Sequence, residues 1–275
     1  MTKSTLISYS FKGMNPIISF VVIEYFSIEE IDKCIESIVS TVRGIPYEII
    51  ISSNSQYPIS KQQEIAEKDN VRWIFNSRNG GFAYGMNRGL YEAKGKYRII
   101  MNPDVKLIRG LSSMIEFMNS NPEVGAIAPK IISEEGEIQD SCRPYVSVQS
   151  YLYRAFRRVL GHQTAVLSND IDYNLIQTVD WVIGAFIMVR DTIAIDTTGL
   201  DENYFMYAED LDWCTRIRKA GYEVVYYPKA IVEYKGSRSA RKSFKYAKIF
   251  FKSHFHYWRK FGFFYGYPKK KNIIW

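Results

Sequence analysis

The sequence predicts an α/β protein built on a mostly parallel, helix-covered sheet. Its 275 residues are 47% hydrophobic and 15% aromatic, enough apolar material to bury a large core. Short β-branched apolar runs alternate with segments of helical periodicity, the pattern of strands joined by crossover helices. Neither an internal repeat nor a low-complexity linker interrupts this alternation.

In chain order, residues 17–25 read as a buried strand, and Ile28, Ile31, Ile35, Ile38 and Val42 then recur at helical spacing. A strand over 47–51, a helix over 61–68 and a strand over 71–75 follow. After the Asn79-Gly80-Gly81 turn, residues 82–93 form a helix and 97–101 a fourth strand. A helix over 111–119 and a strand over 124–128 continue the pattern. Residues 142–177 are less regular and carry an aromatic, basic stretch (Tyr151, Tyr153, Arg154, Phe156, Arg157, Arg158), read as an excursion over a site. Strand character returns over 179–189. A helix over 209–220 ends at Gly221, and short strands over 223–227 and 230–234 flank Pro228.

The charge is unevenly distributed. From Lys235 onward the chain holds twelve Lys/Arg and no Asp/Glu, so the remaining 24 basic residues face all 29 acidic ones. Residues 239–261 read as an amphipathic helix. Arg241, Lys245, Lys248, Lys252 and Arg259 form one stripe, and Phe244, Ala247, Phe251, Phe255 and Trp258 the next. With Lys269-Lys270-Lys271 beyond it, this tail fits an anionic membrane surface; the competing expectation is that its aromatics pack on the body. No RNA-binding signature accompanies the charge, so no nucleic-acid partner is expected. Neither a signal peptide nor a membrane-spanning run is visible. Cys34, Cys142 and Cys214 show no disulfide or zinc spacing, so a reducing cytoplasm is expected. With only His162, His254 and His256 present, a histidine-rich metal site is excluded.

Three segments carry chemistry. In the first, residues 79–89, glycines allow close backbone approach at Gly81 and its neighbours, while Asn79 and Asn87 can hydrogen-bond a polar ligand beside Phe82. Its spacing is neither a Walker loop nor GxGxxG, which disfavours ordinary ATP and NAD sites. In the second, Asn102-Pro103-Asp104 directly follows the fourth strand, where open α/β sheets bind ligands. An acid there can hold Mg²⁺ or Mn²⁺ while a diphosphate supplies further oxygens. In the third, Glu209, Asp210 and Asp212 crowd a helix start, where the helix dipole favours carboxylates. Helical spacing turns Glu209 and Asp212 to one side and Asp210 elsewhere, so one acid can face a substrate while others bind basic groups such as Arg216.

Taken in order, residues 79–89, 101–105, 184–190 and 199–216 resemble the family 2 glycosyltransferases, in the branch with bacterial rhamnosyltransferases. Their N-x-G-F-A-x-G-x-N-x-G, L-N-P-D-V, G-A-F-x-M-V-R and G-L-D-E-x-F-F-x-Y-x-E-D-x-D-x-C-x-R elements appear here in the family's order, and the likeness covers about residues 17–240. The resemblance implies a GT-A fold over residues 1–238, followed by a helical extension over 239–275. It also implies a nucleotide-sugar donor, a divalent cation and inversion at the anomeric carbon. Carried over, Asp104 matches the metal-binding acid, with Asn102 in place of the motif's first acid. Asp210 matches the general base with Glu209 beside it, and Trp181 and Gly184 line the sugar and acceptor region. Ser53 stands where the family usually has an Asp against the nucleobase, Glu24-Tyr25-Phe26 replaces Thr-Tyr-Asn, and Tyr234 replaces a His that often adds a metal ligand. The expected function is transfer from dTDP-L-rhamnose to a saccharide acceptor, lipid-linked through polyprenyl diphosphate, at the inner face of the plasma membrane. The alternatives are a UDP-hexose transferase of the same family and a non-catalytic nucleotide-sugar or membrane-binding module. A sugar nucleotidyltransferase wants an N-terminal phosphate loop that residues 1–30 lack.

Overall fold

The computed structural model describes residues 15–68, 71–145, 148–149, 171–236, 244–263 and 273–275. Strand β1 (Ile18–Glu24) leads through helix α1 (Ile28–Thr41) to β2 (Tyr47–Ser53), and α2 (Ile59–Lys68) leads to β3 (Arg72–Phe75). Helix α3 (Phe82–Glu92) precedes β4 (Tyr97–Met101), β5 (Val105–Arg109), α4 (Leu111–Ser120) and β6 (Val124–Ile132). Short strands β7 (Cys142–Arg143), β8 (Gln177–Thr178) and β9 (Trp181–Val182) come before β10 (Phe186–Arg190) and helix α5 (Asp191–Asp196). Helix α6 (Glu209–Lys219), β11 (Glu223–Tyr234) and α7 (Phe244–Phe261) complete the set.

Nine strands form one sheet in the order β3-β2-β1-β4-β10-β6-β11-β5, with β8 also against β11. The half from β3 to β4 is parallel, as the crossover helices require. Strand β10 runs antiparallel to both β4 and β6, while β6 and β11 are parallel. All seven residues of β1 are buried, because helices cover both faces of the sheet there. The core is split accordingly. One cluster packs Val21, Met86 and Trp213 on one face, and the other packs Phe20, Ile38 and Met114 on the opposite face.

Three expectations change. The predicted strand over 179–189 is broken into β9 and β10, with β9 leaving the main sheet to pair with β7. The two strands around Pro228 are one, β11, whose register against β6 shifts between Tyr227 and Ile231, so the residue lacking an N–H sits at a bulge. Strand β5 was not anticipated; it pairs antiparallel with the far half of β11. All three cysteines are free and buried.

The tail helix docks on the body with only part of its predicted apolar stripe: Trp258 packs against the core cluster, while Phe251 and Phe255 do not. Tyr257 is 3% exposed within the core cluster of Trp213, and its hydroxyl lies 3.0 Å from Thr215 Oγ1. Ser253 Oγ donates to the Met206 carbonyl at 2.7 Å. Phe251 and Phe255, from the predicted apolar stripe, remain 64% and 56% exposed beside exposed Lys248, Lys252 and Arg259. Residues 239–243, the aromatic, basic stretch at 151–158 and Lys269–Lys271 lie outside the described residues. Among the described residues no helix is long and apolar enough to cross a membrane.

Candidate active site

Strand β4 ends at Met101, and the Asn102 N–H donates to the Ala185 carbonyl at 3.0 Å, tying the next turn to the loop before β10. Asn102 Nδ2 donates to the Tyr234 hydroxyl at 3.1 Å, while Asn102 Oδ1 is buried without a hydrogen-bond partner. Burial pushes the half-buried Asp104 carboxyl upward, and Glu30 adds to this against the N–H of Gly236. Burial and the charges of Asp104 and Asp210 push the Tyr234 phenol up to about 12, even though Asn102 donates to it. A neutral phenol therefore stands within electrostatic reach of both acids.

Among the described residues no three His, Cys, Asp or Glu side chains cluster to hold a metal by themselves. An orphaned amide oxygen beside a strand-end carboxylate instead fits a hard cation that takes one or two protein oxygens and completes its shell with phosphate and water.

Helix α6 starts abruptly, because Tyr207 and Ala208 both adopt positive φ (70° and 66°) immediately before Glu209. Asp210 is half-buried and pinned at both oxygens: the Gly184 N–H donates to Oδ2 at 2.9 Å and the Leu211 N–H to Oδ1 at 2.8 Å. Burial raises its proton affinity, while those amides and the Arg143 charge oppose the rise. Glu209 is 6% exposed with Oε2 unpartnered, and burial followed by the Asp210 charge drives its pKa well up. Asp212, fully buried, instead takes the Tyr204 hydroxyl at 3.1 Å, Arg216 Nε at 2.5 Å and Lys260 Nζ at 2.7 Å. Asp212 therefore binds basic groups, Arg216 among them, while Asp210 is held by backbone amides and Glu209 feels the Asp210 charge more than that of Asp212.

The 79–89 segment meets this helix start. Asn79 Oδ1 accepts the Gly81 N–H at 3.0 Å, and the Phe82 N–H donates to the Phe205 carbonyl at 2.8 Å. Gly81 has φ +94°, and an added Cβ would stand 2.1 Å from the Phe205 oxygen, so only glycine allows this approach. A Cβ on Gly184 would meet the Phe82 ring at 3.4 Å and Asp210 Cβ at 3.5 Å, which brings Phe82, Gly184 and Asp210 together. Trp181 is buried below, its indole N–H donating to the Pro144 carbonyl at 3.0 Å.

Two sequence candidates are engaged elsewhere. Asn87 is buried, with Nδ2 on the Leu200 carbonyl (2.8 Å) and Glu202 (2.9 Å) and Oδ1 on the Leu200 N–H (2.9 Å), so it ties α3 to the loop before α6. Ser53 is enclosed at the end of β2, donating to Glu24 Oε2 at 2.5 Å. Glu24 also takes Ser27 N–H, Ser55 Oγ and Tyr57 OH, so this buried carboxylate joins the β1 and β2 loops. Above it, Tyr25 and Phe26 are exposed and pack edge-on. Arg143, which no motif marks, is brought to the site only by the β7–β9 pairing that sets it opposite Trp181.

A family model described as glycosyl transferase family 2 matches residues 19–170. The chain is 26% identical over 238 residues to the N-acetylglucosaminyl-diphospho-decaprenol L-rhamnosyltransferase of Mycobacterium tuberculosis, covering 80% of this chain and 76% of the relative. It is 27% identical to Rhamnosyltransferase WbbL of Escherichia coli, covering 66% of this chain and 70% of the relative. Among solved structures, a mannosyltransferase from Pyrobaculum calidifontis in complex with GDP-Man and Mn²⁺ superposes with TM-score 0.58 at 14% identity, over 95% of this chain and 67% of that one. GalNAc-T7 with UDP, GalNAc and Mn²⁺ superposes with TM-score 0.58 at 12% identity over 81% of this chain, which spans 44% of it, less than half its length. These likenesses make the fold GT-A.

Proposed function

Because the chain belongs to glycosyl transferase family 2 and is a glycosyltransferase, we propose that it moves a sugar from a nucleoside-diphosphate donor to a hydroxyl of a lipid-linked saccharide, with inversion, in bacterial cell-surface polysaccharide synthesis. The observation that carries this reading is the Asp210 carboxylate, pinned by two backbone amides, raised in proton affinity and half-open beside Phe82 and Gly184. A carboxylate with a raised pKa is a better proton acceptor near neutrality. Asp210 takes the acceptor proton as its oxygen attacks the anomeric carbon from the face opposite the diphosphate. Glu209, whose own proton is held by burial, lies beside it, and Trp181 and Gly184 form the wall behind the reacting sugar. Asp104, with Asn102 Oδ1, would hold Mg²⁺ or Mn²⁺, which when bound offsets the charge on the departing diphosphate. Asp210→Asn is expected to lower the transfer rate by roughly 10²–10⁴-fold with donor binding retained, measured as single-turnover product. Undiminished transfer would remove Asp210 as the base.

Two relatives named as rhamnosyltransferases favour dTDP-L-rhamnose as the donor, with a UDP-hexose as runner-up. A panel of nucleotide sugars screened with and without Mn²⁺ or Mg²⁺ separates them. In this reading residues 1–238 perform the transfer and 239–275 hold the enzyme at the inner face of the plasma membrane. Exposed Phe251, Phe255 and Phe263, flanked by exposed Lys248, Lys252 and Arg259, suit an anionic bilayer.

A further inference from the structure

We infer that Arg143 is the binding residue for the diphosphate of the lipid-linked acceptor; this rests on the acceptor proposed above. Its guanidinium is half-fixed and half-free. Nε donates to Asp140 Oδ2 at 2.8 Å and Nη2 reaches the Asp140 carbonyl at 3.4 Å, while Nη1 carries no hydrogen bond among the described residues. The group lies 5.4 Å over the buried Trp181 ring, and its side chain is 39% exposed. An arginine held over an indole with one nitrogen of its fork open suits a phosphate.

The order of the neighbours selects which phosphate. On one side of Arg143, β9 leads to Gly184, whose N–H holds Asp210, and the Arg143 charge reaches that carboxylate. On the other side, the chain past β7 meets the end of the tail helix: the Val148 N–H donates to the Phe263 carbonyl at 3.0 Å. The Arg143 charge also reaches His254 on α7. Arg143 therefore lies within electrostatic reach of both the base and the helix that carries the exposed phenylalanines. A sugar–diphosphate–lipid acceptor likewise presents its diphosphate between a hydroxyl and a hydrocarbon chain. The donor's diphosphate belongs instead at Asp104, in the turn that follows β4.

The test compares an acceptor sugar carried on a short polyprenyl diphosphate with the same sugar as a neutral alkyl glycoside. Arg143→Gln should raise the KM for the diphosphate acceptor by roughly tenfold more than that for the neutral glycoside, as loss of charge-assisted bonds implies. Arg143→Lys should recover part of that difference. Equal losses on both acceptors, or a rise confined to the donor KM, would overturn the assignment. Calorimetry with farnesyl diphosphate in EDTA reads the same site without turnover. Binding by the wild type that weakens about tenfold in Arg143→Gln supports it; no binding, or equal binding by both proteins, sinks it. Failure of the wild type to transfer to either acceptor, with farnesyl diphosphate still bound through Arg143, would count against the transfer reaction and not against this site.

Discussion

At the residue scale, neighbouring acids in α6 have separate fates because their partners differ. Glu209 is buried with an unpartnered oxygen, so its charged form is costly, whereas Asp212 is matched by Arg216, Lys260 and Tyr204. A carboxyl whose folded pKa is raised binds its proton more tightly folded than unfolded. Stability then falls as pH rises from the ordinary carboxylate range through the raised value. Glu209→Gln should therefore stabilise the protein at neutral pH by on the order of 1–3 kcal/mol, and the gain should shrink toward pH 4–5 in thermal melts. The same rise in the Asp210 pair puts the acid limb of the kcat/KM profile above the usual carboxylate range, so activity falls with decreasing pH through that value. Asp210 was legible in the sequence because its motif is contiguous. The engagement of Asn87 and Ser53 was not, since their partners lie 113 and 29 residues away.

At the element scale, periodicity found the parallel strands and every described helix except the six-residue α5, but misjudged three stretches. Residues 179–189 read as one apolar run, yet Asp180 and Gly184 interrupt it, and β9 pairs with β7 outside the main sheet. Strand β5 carries two charged residues in five and follows β4 after a short turn, and only the far half of β11 gives it a partner. In α7 the hydrophobic stripe was visible but not which of its members dock, because Trp258, Tyr257 and Ser253 find partners on the body while Phe251 and Phe255 stay exposed. A deletion of residues 239–275 would therefore uncover core as well as remove the tail. The cleaner test is Phe251→Ser with Phe255→Ser. This pair should abolish co-sedimentation with phosphatidylglycerol vesicles while the melting temperature stays within a few degrees, since both rings are exposed. Retained vesicle binding would refute membrane docking through this face.

At the scale of the whole molecule, the loop from Gly199 to Ala208 is where α3, α6 and α7 meet. Asn87 holds it from α3, Arg216 binds the Thr197 and Gly199 carbonyls, and Phe82 binds Phe205. Lys260 on α7 bonds Asp201 at 2.6 Å and Asp212 at 2.7 Å. Lys260→Met should cost about 1–3 kcal/mol by leaving Asp212 with fewer donors. It should also lower kcat more than it raises the donor KM, because the loop leads directly into Glu209 and Asp210. None of this convergence was readable from local patterns, although the alternation of strands and helices was enough to set the fold class. At the end of that loop, Tyr207 and Ala208 hold a left-handed backbone that side chains resist at about 1–3 kcal/mol each. Ala208→Gly would ease that resistance, so a search for thermal hardiness should select it while a search for turnover should reject it: durability and speed pull this one position in opposite directions.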